Sequence, residues 1–265
     1  MNNILVPIGA SPYAKDTLQY ALDFASHFGA KVFVMDVITV TATTGNLMNL
    51  EGKVVESSKE RIKELVNTVE TNHVEVKIAT YKGDIIDGLQ DIDKELGIDL
   101  IIIAPRSNEI DEELYLGNTS GRIVKQTNIP TLIVPKETAF TPPKQILTAF
   151  GSGILKRSRV LNPLVSIRDK FRAEVSLLLV KRSGYSEDDL QINTALMDLS
   201  TRVTISENVT TYLGVLEHYQ SQNPDLLCVF RKKRGFFKKL WENNTVPKSE
   251  FFVPIPVLIL SFKKD

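Results

Sequence analysis

The sequence has few of the residues that carry redox and metal chemistry. It contains one cysteine, Cys228, and three histidines, His27, His73 and His218, and their spacing is not that of metal ligands. A single cysteine cannot form an internal disulfide, which favours a reducing compartment. Cys228 lies in the apolar run Leu226–Phe230, where we expect it to be a buried packing residue.

Long apolar runs and a targeting segment are also missing. No stretch of about 18 apolar residues occurs, so we expect no transmembrane helix. Met1–Pro7 has the pattern of a strand and not that of a basic leader segment. A cytoplasmic protein is therefore the simplest interpretation. Neither a Gly-x-Ser-x-Gly elbow nor a phosphate loop ending in Gly-Lys-Ser/Thr is present, which excludes two common catalytic motifs.

The formal net charge of the chain is zero, but the two halves differ. Residues 141–265 contain 19 Lys and Arg against 12 Asp and Glu, so the first half carries the balancing negative charge. This asymmetry indicates either contact between the halves or a face that attracts anions. The simpler interpretation is that solvated surface charge differs between the halves without a functional role. The functional and the simpler interpretations both stay open here.

The first half alternates strand and helix patterns. Ser11-Pro12 has the form of a helix N-cap followed by proline at the first helical position. Asn118 and Thr119 suit the same capping role at the last helix, predicted over residues 117–127. Strands joined by helices predict a parallel sheet with helices on both faces.

The second half repeats this plan. Residues 83–134 align with residues 209–260 without a gap, and Gly88/Gly214 and Pro130/Pro256 are among the identical pairs. A repeat this long indicates a duplicated domain rather than a solenoid. We expect a first domain over residues 1–137, a linker over 138–143 and a second domain over 144–265.

The pattern of both halves resembles the universal stress proteins. It consists of the opening strand Ile4–Ile8, the segments Phe28–Val32 and Asp36–Ile38, Gly83-Asp84 after a strand, the buried strand Asp99–Ala104, Leu116–Thr119, and Ile129–Val134. The resemblance implies an α/β fold of two doubly wound, five-stranded, parallel-sheet domains of the adenine-nucleotide α-hydrolase type. It also implies that the last strands Thr131–Val134 and Val257–Leu260 pair antiparallel, giving an intramolecular pseudo-dimer in which further oligomers are optional.

The resemblance further implies a nucleotide crevice at the carboxyl ends of the strands, and ATP or AMP in the first domain as its ligand. The family's Asp after the first strand is Gly9 here, and its first two loop glycines are Ala104 and Ser107, whereas Gly117 is retained. Candidate ligand-binding residues are Gly9, Ser11, Val37, Gly83, Arg106, Gly117, Asn118, Thr119 and Ser120. A vestigial loop that only caps the last helix is the alternative interpretation.

The second half departs further from the family, since Phe230, Lys233, Asn243 and Asn244 stand at the corresponding positions. Its most unusual stretch is the basic and aromatic segment of residues 231–241. Such a segment can bind phosphates, RNA or an anionic membrane surface. A solvated turn whose aromatic residues pack on the sheet is the simpler interpretation.

Three functions therefore stay open. The main hypothesis is a non-enzymatic stress-response protein that acts through protein partners and carries a degenerate nucleotide site open to a small anionic ligand. The second is an ATP- or AMP-binding member with slow hydrolysis and its site in the first domain. The third is an anion, lipid or RNA binder that uses the basic segment.

Overall fold

The computed structural model describes residues 1–9, 11–38, 47–105, 113–231 and 244–261 of the chain. In the first half the strands are β1 (Asn3–Pro7), β2 (Lys31–Ile38), β3 (Val76–Lys82), β4 (Leu100–Ile103), β5 (Leu114–Leu116) and β6 (Thr131–Ile133). The helices of this half are α1 (Ala14–Phe28), α2 (Leu47–Val66), α3 (Ile85–Leu96) and α4 (Asn118–Gln126).

The second half follows the same order with shorter helices. Its strands are β7 (Gln145–Phe150), β8 (Glu174–Lys181), β9 (Arg202–Glu207), β10 (Leu226–Phe230), β11 (Val246–Pro247) and β12 (Val257–Leu260). Its α-helices are α5 (Asn162–Phe171), α6 (Thr194–Met197) and α7 (Thr211–Gln222), and two 3-10 helices span Ser158–Leu161 and Glu187–Leu190.

Ten of the strands form one sheet in the order β3-β2-β1-β4-β6-β12-β10-β7-β8-β9. All neighbours are parallel except β6 and β12, which pair antiparallel with Leu132 opposite Leu258. Each half therefore contributes five strands in the same order, and the two halves meet through their last strands. The predicted fold class and the intramolecular pseudo-dimer are confirmed.

The core lies on both faces of this sheet. Every residue of β4 and β10 is buried, as the near-continuous apolar runs of covered parallel strands predict. Ile4 and Val6 face the layer that contains α1, whereas Leu5 faces the layer that contains α3 and α4. This alternation is the two-residue period of a strand.

Two glycines of the repeat allow close packing of helix on sheet. A Cβ at Gly88 in α3 would lie 2.7 Å from Cγ of Tyr81, and one at Gly214 in α7 would lie 2.6 Å from Cγ2 of Val180. Both distances are shorter than carbon atoms tolerate. The identity of these two positions in the repeat therefore reflects a packing requirement.

Both capping predictions are wrong. The helix α1 begins at Ala14, and the Ser11 hydroxyl accepts a hydrogen bond from the Tyr13 amide instead of capping the helix. The N-cap of α4 is Gly117, so Asn118 and Thr119 are already helical. In each case the local pattern indicated a helix start, but the N-cap lies one or two residues away from the predicted position.

The second half does not repeat the first completely. Between β10 and β12, the described residues 231 and 244–256 contain β11 and no helix, so α4 has no counterpart in this part of the chain. Instead, β11 pairs antiparallel with β5, with Val246 opposite Leu116. This small second sheet ties the second half to the strand that leads into α4, and the sequence repeat gave no sign of it.

The linker region is packed against the first half. The ring of Phe140 makes edge-to-face contacts with Tyr20 and Phe24, with ring centroids 5.4 Å and 5.8 Å apart. The bounds of the two domains themselves stay a prediction.

Candidate functional site

A cavity of about 610 Å³ lies in the first half, at the carboxyl ends of β1, β2 and β4. The strand order of this half reverses between β1 and β4, where ligands commonly bind in open α/β sheets. The cavity is lined by Pro7, Ile8, Gly9, Ser11, Ala14, Thr17, Met35, Asp36, Val37, Gly83, Asp84, Ile85, Ile103, Ala104, Thr119, Ser120, Arg122 and Ile123.

Most of the residues that the sequence singles out line this cavity. They are Gly9, Ser11, Val37, Gly83, Thr119 and Ser120. Gly117 and Asn118 immediately precede the lining residue Thr119 but do not line the cavity themselves. Several residues that the sequence singles out lie outside the described residues. They are Arg106, Ser107, Lys233, Asn243 and all of the basic segment except Arg231.

The first turn of α4 forms one wall. Its N-cap Gly117 has no side chain that could cap the helix, and the Gly117 amide donates to the Pro105 carbonyl at 3.2 Å. The Ser120 hydroxyl donates to the Ala104 carbonyl at 3.0 Å, which holds this turn beside the end of β4. The first amides of a helix have no partner within the helix, and together with the positive end of the helix dipole they make such a turn suitable for one anionic group.

Gly83 and Asp84 form the opposite wall. Gly83 has a φ of +124°, a conformation that side chains disfavour, and it turns the chain from β3 into α3. The Asp84 carboxylate caps α3 by accepting from the Ile86 amide at 2.8 Å. It also accepts two hydrogen bonds from Arg122 of α4, at 2.9 Å and 2.7 Å.

This contact keeps Asp84 charged. The Arg122 guanidinium, and after it the Ile86 amide, holds the pKa of the Asp84 carboxyl below its ordinary value. The pair also joins the start of α3 to α4, so the two walls of the cavity are fixed relative to each other.

A second ion pair involves Asp36, which lines the cavity. The Asp36 carboxylate, 7% exposed at the end of β2, accepts hydrogen bonds from Ser58 and Arg61 of α2, each at 2.5 Å. Arg61 also donates to the carbonyl of Gly9 at 3.1 Å. Arg61 therefore reaches Gly9, which stands where the family has an aspartate after its first strand.

Sequence reasoning left out Asp36, Arg61, Asp84 and Arg122 as site residues. A signal for Asp36 existed, because it is an acidic residue inside an otherwise apolar strand. A buried carboxylate needs a partner, and Ser58 and Arg61 are three residues apart on the helix that covers β2. No comparable pattern marked Arg122.

In the second half, the corresponding end of the sheet is occupied by its own residues. Phe150 and Phe230, at the ends of β7 and β10, are buried and meet edge to face with centroids 6.2 Å apart. The Gly153 amide donates to the Asp189 carbonyl at 2.8 Å, which draws the chain after β8 over the end of β7. The register places Leu179 where β2 has Asp36, so the carboxylate is also missing.

Arg231, the first residue of the basic segment, has a structural role. Its guanidinium donates to the carbonyls of Lys125 and Thr127 at 2.7 Å and 2.5 Å and to Oδ1 of Asn128 at 2.6 Å. These groups lie at and just beyond the end of α4. Arg231 thus binds the C-terminus of the helix whose N-terminus lines the cavity.

The model of the universal stress protein family matches residues 1–135, just over half of the chain. The chain belongs to the universal stress protein family. A curated relative, universal stress protein MJ0531 of Methanocaldococcus jannaschii, is 22% identical over 140 residues, which are 50% of this chain and 81% of that protein.

Solved structures support the fold over both halves. A universal stress protein from Archaeoglobus fulgidus superposes with a TM-score of 0.73 at 15% identity, covering 98% of each chain. A second structure, from Pseudomonas aeruginosa UCBPP-PA14, gives 0.58 at 14% identity and covers 98% of this chain and 93% of its own. At such low identity these likenesses establish the fold alone. Within the described residues, no helix is long and apolar enough to cross a membrane.

Proposed function

We propose that this universal stress protein binds a nucleoside monophosphate in the first-half cavity and acts as a non-enzymatic signalling protein. The bound ligand would set the state that protein partners in the cytoplasm recognise. The cavity carries this proposal, because Gly83, at a position that the family pattern marks, and Thr119 and Ser120 of the first turn of α4 line it together.

The size and lining of the cavity support a ligand of this class. A volume of about 610 Å³ lies in the usual range for small-molecule sites. Apolar groups from Ile8, Val37 and Ile103 suit a base, and hydroxyls from Ser11 and Thr119 suit a ribose or phosphate. The α4 amides suit one phosphate group.

The same residues argue against the triphosphate mode of the family. Ala104 replaces the glycine that would let the backbone approach the outer phosphates. The two arginines near the cavity are each already engaged by a carboxylate, Arg61 by Asp36 and Arg122 by Asp84. Additional phosphates would have to compete with these ion pairs.

Binding without turnover is supported by the charge state of Asp84. A general base or acid needs a pKa near the operating pH, whereas Arg122 lowers the pKa of Asp84 still further from neutrality. No histidine lines the cavity within the described part of the chain. Slow ATP hydrolysis in this cavity is the alternative function.

Denaturing mass spectrometry of freshly purified protein tests the proposal directly. We expect a released nucleoside monophosphate at no more than one molecule per chain. Release of ATP as the main species, or a calorimetric dissociation constant for Mg-ATP in the low micromolar range (about −8 kcal/mol), would favour the alternative.

A further inference from the structure

Residues 244–252 of the second half stand opposite α4 in the repeat but do not form a helix. The first hydrogen bond of α4 runs from the Gly121 amide to the Gly117 carbonyl at 2.8 Å. Pro247 stands at the position of Gly121 and has no amide to donate. This stretch forms β11 and a turn instead, and it packs on the first half.

β11 contacts the first half at the strand that leads into α4. β5 ends at Leu116, and the next residue is Gly117, the N-cap of α4. Val246 of β11 lies opposite Leu116, and both side chains are buried. The Lys248 amide donates to the carbonyl of Glu113, just before β5, at 2.6 Å. The second half therefore holds the backbone that enters the first turn of α4.

An aromatic cluster adds side-chain contacts to this strand pairing. Phe251, 1% exposed, meets Tyr115 of β5 and Tyr212 of α7 with ring centroids 4.5 Å and 4.9 Å apart. The Tyr212 hydroxyl donates to the Phe252 carbonyl at 2.9 Å and accepts from the Phe252 amide at 3.0 Å. Ile123 of α4 belongs to the same buried cluster. Phe251 thus joins α7 of the second half to β5 of the first.

The other end of α4 is also bound by the second half. Arg231 donates to the carbonyls of Lys125 and Thr127, and the Lys125 ammonium donates to Oδ1 of Asn244 at 2.8 Å. The second half therefore contacts α4 at both ends, although the corresponding end of its own sheet is occupied by its own aromatic residues.

We infer that the second half positions the first turn of α4 for the phosphate group of the ligand, with Phe251 and Tyr115 as positioning residues. The inference rests on the proposed nucleoside monophosphate site. Amides bind a phosphate only within hydrogen-bond distance, so a small displacement of this turn weakens the contact. Phe251 does not line the cavity, and its effect on the ligand is therefore transmitted through β5. Contacts to the base from Ile8 and Val37, beside β1 and β2, do not depend on this support.

Hydrogen exchange of the ligand-free full chain tests the structural step. Phe251→Ala should speed amide exchange in a peptide spanning residues 113–121 at least about tenfold relative to a peptide spanning β1. Tyr212→Phe, which keeps the ring and removes the hydroxyl that binds Phe252, should act in the same direction and serves if Phe251→Ala folds poorly. Leu164→Ala is the matched control, because Leu164 is fully buried in α5 on the opposite face of the sheet. It should leave this exchange ratio unchanged.

Calorimetric titration with AMP and with adenosine tests the effect on the ligand. Phe251→Ala should weaken AMP binding at least about tenfold and change adenosine binding less than about threefold. Phe251→Leu, which keeps a large apolar side chain, should recover part of the AMP affinity. Leu164→Ala should change neither affinity, so a general loss of stability is distinguished from loss of positioning.

Three results would overturn the inference. They are equal losses of AMP and adenosine affinity in Phe251→Ala, exchange of residues 113–121 that stays at the wild-type ratio in both Phe251→Ala and Tyr212→Phe, and an equal effect of Leu164→Ala. A wild-type chain that binds no AMP would instead overturn the proposed function, and the exchange ratio alone would then decide whether the second half holds this turn.

Discussion

Replacing Arg231 should destabilise the first half from a position in the second. Its guanidinium binds the carbonyls of Lys125 and Thr127 and the Asn128 side chain. Burial lowers the pKa of Arg231, but an arginine retains its charge in a protein. Arg231→Met keeps much of the apolar stem and removes the donors, so the carbonyls at the end of α4 lose a charged partner.

The expected loss follows from the number and kind of these bonds. A hydrogen bond from a charged donor contributes about 1.5–3 kcal/mol, and a cation at a helix C-terminus up to about 2 kcal/mol. Water can solvate part of the freed carbonyls. We therefore expect Arg231→Met to lower the free energy of unfolding by about 2–4 kcal/mol.

Urea denaturation followed by circular dichroism measures this loss. Lys94→Met is the control, because Lys94 forms an exposed pair with Asp91 at 2.9 Å, and such pairs contribute at most about 1 kcal/mol. Arg231→Lys should recover only part of the loss, since an ammonium lacks the planar fork. Equal effects of Arg231→Met and Lys94→Met would refute the role assigned to Arg231.

Three further outcomes follow from the packing and the charges. Gly88→Ala should lower the free energy of unfolding by about 1–3 kcal/mol, because its Cβ would lie 2.7 Å from Cγ of Tyr81. Gly52→Ala, with nothing within 4 Å of the added Cβ, should be neutral or stabilising, and urea titration compares the two variants. The difference in free energy of unfolding between wild type and Asp84→Asn should be largest near neutral pH and should shrink as pH falls below about 4, since the pKa of Asp84 is lowered in the folded state. An unfolding free energy that changes equally with pH in both proteins would contradict this. Burial raises the pKa of the Cys228 thiol, so a thiol reagent should label it only after unfolding, and rapid labelling of the native protein would contradict its placement.

The fold was predictable because its signals are repeated along the chain. The apolar runs at Leu100–Ile103 and Leu226–Phe230 match buried strands, and the bounds of α3 agree with its apolar period from Ile85 to Leu96. The antiparallel joint between β6 and β12 followed from the resemblance together with the need to protect apolar edges. Periodicity and duplication thus determine most of this architecture.

The site was predictable only in part, because its charged residues act through tertiary contacts. Gly83 and Thr119 stood at positions that the family pattern marks, and both line the cavity. The pairing of Arg122 with Asp84 joins residues 38 positions apart, and no local pattern encodes such a contact. The strands β5 and β11 were not predicted either, because they have too few residues to show a hydrophobic pattern.

Calorimetric titration of the full chain with AMP tests the central claim most directly. We predict one site per chain and adenosine binding at least about tenfold more weakly than AMP. AMP binding should be lost in Thr119→Glu, which places a negative charge on the cavity wall at the first turn of α4, but not in Gly52→Glu, where the substituted glycine is exposed and lies away from the cavity. Equal affinity for adenosine and AMP, two sites per chain, or unchanged AMP binding in Thr119→Glu would contradict the claim.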